Sequence, residues 1–164
     1  MIKSILPAIL MFLLISVSCQ DNNSNNTDKE NNPVKKNLEL WADTIIYDVL
    51  IQNPDPTDEW QDQKIKHVNH KKLVDDIFSS IYTEKKIAYD YYSNQPYTID
   101  EIREFEEGYP RTDIGKLQFE ECWKYDQNTG NIEKQVYSIL VAYTLYDSSQ
   151  NIRGYKAGFY LKNE

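Results

Sequence analysis

The chain has 164 residues, with 26 acidic and 18 basic side chains and a formal net charge of −8. So acidic a surface repels phosphate backbones and anionic membranes, which argues against nucleic acid as a partner. Two histidines and two cysteines leave little for metal or nucleophilic chemistry, whereas thirteen tyrosines are suited to contact.

Lys3 makes the amino end positive, an apolar run follows from Ile5 to Val17, and Ser18-Cys19 closes it. This layout predicts a secretory signal peptide over residues 1–18. The run is about 13 residues, short of the ~20 that a spanning helix needs, and Pro7 interrupts it. A cysteine at the cut, followed by a polar stretch, resembles a bacterial lipoprotein signal. Ser16 stands where such signals usually carry Leu or Val, so an ordinary cleaved signal remains the alternative. The resemblance implies lipid on Cys19 and a chain held at the outer membrane, facing the periplasm or the cell surface. Removing residues 1–18 takes away Lys3 and no acid, leaving −9. With Cys19 lipidated, Cys122 has no cysteine to pair with.

Residues 20–37 contain seven Asn and a single sizeable apolar residue, Val34. Too little apolar surface is present to offset ordering entropy, so 19–37 reads as a disordered tether. Gln20-Asp21 resembles the acidic export tags of surface lipoproteins in Bacteroidetes. The folded part is expected as one domain over residues 38–164.

Ile45, Tyr47, Val49 and Ile51 alternate, which predicts a strand from Asp43 to Gln52, stopped by Asn53-Pro54-Asp55-Pro56. Trp41 and Ile46 leave a helix as the alternative, which the β-branched residues disfavour. Leu73, Val74, Ile77, Phe78, Ile81 and Tyr82 form a helical stripe, with Asn69 as N-cap. Lys86–Tyr92 reads as a short strand. Thr98 and Glu101 make a capping box for a second helix, with Ile99, Ile102 and Phe105 inward and Gly108 and Pro110 at its end.

Beyond it the chain turns β-rich. Leu117, Phe119, Trp123 and Tyr125 alternate, and Gln127–Asn131 supplies turn chemistry. Ile132–Tyr146 is apolar on both faces at its centre, Tyr137, Ile139 and Val141 against Leu140 and Ala142, as a central strand requires. After a turn at Asp147–Asn151, Tyr155, Ala157, Phe159 and Leu161 give a closing strand. The expected class is α+β: a C-terminal antiparallel β-meander packed with two helices.

Few residues invite chemistry. His67 and His70 form H-x-x-H, but no third His or Cys is near, and two solvent-facing histidines explain the pair without a metal. Glu121 shares a strand face with Phe119, Trp123 and Tyr125, so a carboxylate meets the apolar layer. It is read as a structural ion pair, to Arg153 or Arg111, or as the mark of a strand whose facing is locally broken, rather than as a catalytic acid with Glu120 or Glu133. Cys122 falls on the opposite face with Gln118, Glu120 and Lys124, where nothing activates a thiolate. No G-x-S-x-G, P-loop, G-x-G-x-x-G or CxxC pattern occurs. No enzyme, cofactor or metal is expected. Tyr89, Tyr91, Tyr92 and Tyr97 cluster in AYDYYSNQPY, a candidate contact surface, with packing in the sheet as the alternative.

From Leu73 onward, LVDDIFSSIYTEKKIAYDYY, YTIDEI, FEECWKYDQNTGNIEKQVYSILVAY and GYKAGFYL resemble the periplasmic gliding-motility and type IX secretion proteins of the GldN/PorN kind. The matching residues are Ala88-Tyr89, Thr98, Glu101, Glu121, Trp123, Tyr125 and Asp126. The resemblance implies a non-enzymatic subunit of an envelope machine with protein partners. The sequence therefore predicts a lipid-anchored binding or scaffold protein of the cell envelope. The alternative is a surface lipoprotein holding a glycan or other small ligand in a Tyr/Trp-lined cleft.

Overall fold

The computed structural model describes residues 36–163, which lie within one compact unit. Cys19, the signal and most of the expected tether fall outside them. Five strands form one sheet: β1 (Leu38–Leu50), β2 (Ala88–Asp90), β3 (Ile114–Asp126), β4 (Asn131–Tyr146) and β5 (Ile152–Lys162). Their order is β1-β3-β4-β5-β2, and every neighbouring pair is antiparallel. The expected meander is β3–β4–β5. β1 adds to its one edge and β2 to the other.

Three helices accompany the sheet: α1 (Glu59–Ile65), α2 (His70–Tyr82) and α3 (Ile99–Gly108), with a 3-10 turn at Arg111–Asp113. The class is α+β. Asn69 caps α2 by accepting from the Lys72 backbone at 3.1 Å. Thr98 and Glu101 form the reciprocal capping box of α3. α1 escaped the helical-stripe criterion because none of its residues is buried and Trp60 is exposed. Its signal is the Asp58 cap, whose carboxylate accepts from Gln61 N at 3.0 Å. α2 ends through Glu84 at φ 56°, the left-handed conformation that glycine usually supplies there.

The helices supply one side of the core. Val74, Phe78 and Ile81 of α2 and Ile102 of α3 meet Leu117, Val141, Tyr143, Phe159 and Leu161 of the sheet. Phe78 is fully buried, edge-on to Phe159 at 5.5 Å between centroids, and Phe105 lies 5.6 Å from Tyr143. Each such side chain contributes roughly 1.5–3 kcal/mol by leaving water. Arg111 clamps the helical layer. Its guanidinium donates to Glu106 and, at 3.1 Å, to Asp75, and lies 4.3 Å from the Phe78 ring centroid. Burial raises the Glu106 pKa, but the Arg111 and Tyr82 hydrogen bonds outweigh it and the net shift is downward.

Register shifts change how the strands read. β1 pairs with β3 from Leu38, ahead of the expected start at Asp43, with irregularities between Leu40 and Ala42 and between Ala42 and Ile45. Those interruptions break the two-residue period that marks a strand. β2 is shorter than Lys86–Tyr92 because Asp90 ends it by capping the next turn. In the β3–β4 pair, Glu120 faces Ser138 but Glu121 faces Val136. The extra residue is Tyr137.

Candidate binding groove on the open face of the sheet

The helices cover one face of the sheet. On β4, Ile139, Val141 and Tyr143 point toward them, and Leu140 points the other way. On that uncovered face lies a groove of about 580 Å³. Its floor comes from three strands: Gln118 and Glu120 of β3, Ser138 and Leu140 of β4, and Tyr160 of β5. Ile46 of β1 forms one wall, and Tyr91 and Asn94 of the loop after β2 form the other.

The bulge in β4 matters here. Alternation puts Tyr137 on the same face as Ile139 and Val141, in the core. The inserted residue resets that phase, so Tyr137 and Ser138 both line the groove opposite Glu120. The expected facing of Tyr137 is thus overturned, by the re-aiming that bulges produce. Its phenol lies against the buried Cys122 thiol, and that hydrogen bond raises the phenol's pKa.

Asp90 builds the loop wall. Its Oδ1 accepts from Ser93 N and Ser93 Oγ, both at 2.7 Å, and from Tyr92 N at 3.2 Å. Its Oδ2 accepts from the Tyr97 hydroxyl at 2.8 Å. The Ser93 bonds, joined by Tyr97, lower the Asp90 pKa to about 2. Burial, with help from Asp90, raises that of Tyr97 to about 12. Asn94 takes φ 57°, a left-handed position that Asn tolerates. Its side-chain oxygen accepts from the Tyr160 hydroxyl and, at 3.0 Å, from Lys162 Nζ, docking the loop on the sheet.

The four clustered tyrosines take different roles. Tyr91 lines the groove at 48% exposure, and Tyr92 projects beyond it at 81%. Tyr89 stacks on Tyr160 at 5.5 Å with Lys162 Nζ 4.3 Å from its ring centroid. Tyr97 packs against the core, 6.3 Å from Phe105. Tyr91 and Tyr92 are thus exposed, whereas Tyr89 and Tyr97 are packed against neighbouring rings.

Glu121 is buried on the helix-side face, near the outer end of the sheet. Tyr47 donates to its Oε1 at 2.8 Å and the Trp123 indole to its Oε2 at 2.9 Å, while Lys134 Nζ stands 4.0 Å away. Its partners are therefore these three and neither Arg153 nor Arg111. Arg111 is engaged with Glu106 and Asp75. The Glu121 hydrogen bond raises the Tyr47 pKa. Among the described residues no second carboxylate joins Glu121: Glu120 faces the groove and Glu133 pairs with Lys36. His67 is exposed, but His70 is half-buried and its Nε2 lies 2.6 Å from the Ile114 carbonyl oxygen, so the expectation of two solvent-facing rings fails for His70. Among the described residues no three His, Cys, Asp or Glu side chains are grouped to hold a metal. None of their helices is long and apolar enough to cross a membrane.

Residue spacing could not reveal the groove, since its lining is gathered from β1, β3, β4, β5 and a loop. The one local hint was the Tyr-rich segment. No protein-family model matches the chain, and none of the curated proteins does.

Proposed function

We propose that this chain is a non-enzymatic, lipid-anchored binding protein of the cell envelope, with the open face of its sheet as the binding surface. The observation that carries the reading is the groove itself: a concave site that presents Tyr91, Tyr137 and Tyr160 beside Gln118, Glu120, Ser138 and Leu140. Its volume falls within the roughly 300–1,000 Å³ of small-ligand sites. The sequence supports the anchor, through the apolar run that ends at Cys19. Mass spectrometry of the mature amino terminus tests that half, and a diacylated or triacylated Cys19 is the expected result. An unmodified terminus removes the anchor.

A second reading, a subunit or accessory of a gliding-motility or type IX secretion apparatus, is favoured by exposed apolar groups outside the groove. Leu38, Leu40 and Trp41 of β1 and Ile132 of β4 gather at the outer end of the sheet, where Trp41 stacks on Tyr125 at 4.5 Å. Apolar patches of this kind mark protein contacts. Crosslinking in intact cells separates the readings: a machine subunit captures envelope proteins through Trp41, a ligand receptor does not.

A further inference from the structure

We propose that the groove binds a short, neutral glycan. This rests on the binding-protein reading and names the ligand class for the same site. Three features of the lining point to it. First, the aromatic surface is divided among Tyr91, Tyr137 and Tyr160, which sit on a loop, a bulge and a strand rather than in one apolar cluster. Separate rings suit the C–H faces of pyranose units, which are small apolar patches on an otherwise hydroxylated molecule. A lipid would call for a continuous apolar wall.

Second, the polar groups between the rings are carboxylate, amide and hydroxyl groups, which pair with sugar hydroxyls as donors and acceptors. Glu120 spends Oε2 on Ser138 at 2.8 Å, and Gln118 spends its amide nitrogen on Asp48 at 2.8 Å. Among the described residues this leaves Glu120 Oε1, Gln118 Oε1 and the Asn94 amide nitrogen for a ligand. The side chains are also held in place by their existing bonds, which lowers the entropy lost on binding.

Third, the lining carries one carboxylate, Glu120, and one ammonium, Lys162, so the site is balanced in charge. Lys162 is already engaged by Asn94 and lies over the Tyr89 and Tyr160 rings. An anionic ligand would find no free cation there, and the chain's overall acidity opposes it. A peptide adding as a strand needs a sheet edge, whereas this groove lies on a sheet face. The β4 bulge fits a built site, since it is what brings Tyr137 out of the core layer.

The test is calorimetric titration of the purified full chain with cellotriose, maltotriose, xylotriose, mannotriose and triacetylchitotriose, with trigalacturonate as the charged comparator. At least one neutral sugar is expected to bind with a Kd at or below about 1 mM, and trigalacturonate about tenfold more weakly or not at all. Tyr91→Ala should weaken binding about tenfold. Glu120→Gln, which keeps an acceptor for Ser138, should weaken it by a similar factor. Tyr92→Ala, outside the lining, should leave it unchanged. The proposal is overturned if no neutral sugar saturates by about 10 mM, if trigalacturonate binds as tightly, or if Tyr91→Ala and Glu120→Gln bind like the parent. If sugars fail but Tyr91→Ala strips a crosslinked envelope protein from the chain, the glycan is wrong and the binding surface stands. If both fail, the reading of the open face falls with it.

Discussion

Within β4, Val141 and Tyr143 enter a core where neither retains exposed surface, while Leu140, the neighbour of Val141, faces the other way. Leu140 lines a groove lined by hydrogen-bonded polar groups. The helix-side face is closed by rings and aliphatic side chains, and its polar groups are few and costly. The open face does the reverse. The difference lies in what covers each side: α2 and α3 displace water from one, and a loop held by Asp90 and Asn94 only borders the other. A binding surface can persist on a sheet whose opposite face carries the packing energy.

The largest effect should come from the closed face. Phe78→Ala removes a fully buried ring beneath Arg111 and beside Phe159, and denaturant unfolding should show a loss of about 3–5 kcal/mol. A loss well under that would mean the helical layer is not what stabilises the sheet. Next comes Glu121→Gln, at the outer end of the same face. One of its oxygens becomes an NH₂ that cannot accept from Tyr47 or Trp123, and stability should fall by about 1–3 kcal/mol. An unchanged midpoint would show that the carboxylate is not a structural partner.

The loop beside the open face should respond to acid. The Asp90 pKa is lowered from its usual 3.8 to about 2. Its stabilising contribution is therefore present above about pH 4 and is lost as pH falls through about 2. The stability difference between the parent and Asp90→Asn should be constant near neutrality and disappear across that window. Persistence of the difference at pH 2 would assign it to something other than charge. The smallest effect is on Tyr143, whose hydroxyl is buried with no hydrogen-bond partner among the described residues. Burial raises its pKa, keeping the phenol neutral. Tyr143→Phe should be neutral or stabilise by up to about 1 kcal/mol in thermal unfolding. A clear loss would reveal a partner for that oxygen.

These contrasts also explain what could be read from the residues alone. α2 and α3 were legible because their stripes and caps are local: Asn69 with Lys72, Thr98 with Glu101. The central strand was legible because both of its sides are apolar. Bulges hid the rest. Two irregularities concealed the first part of β1, and one extra residue moved Tyr137 to the opposite face from the one its alternation indicated. α1 carried a cap but no apolar stripe. Glu121 was recognisable as a buried carboxylate, yet its partners came from β1, its own strand and β4, Tyr47, Trp123 and Lys134, rather than from an arginine.

Asp126 has a mechanical consequence. Its carboxylate is buried and accepts from Asn37 N at 3.2 Å, from Asn128 N at 3.0 Å and from the Thr129 hydroxyl at 2.9 Å. Asn37 in turn receives the Gln127 backbone N–H at 3.0 Å. Tension arriving from the amino-terminal side is thus delivered first to this knot and to the β1–β3 ladder. The loop holding Tyr91 hangs on β5, across the width of the sheet, and is sheltered from that load.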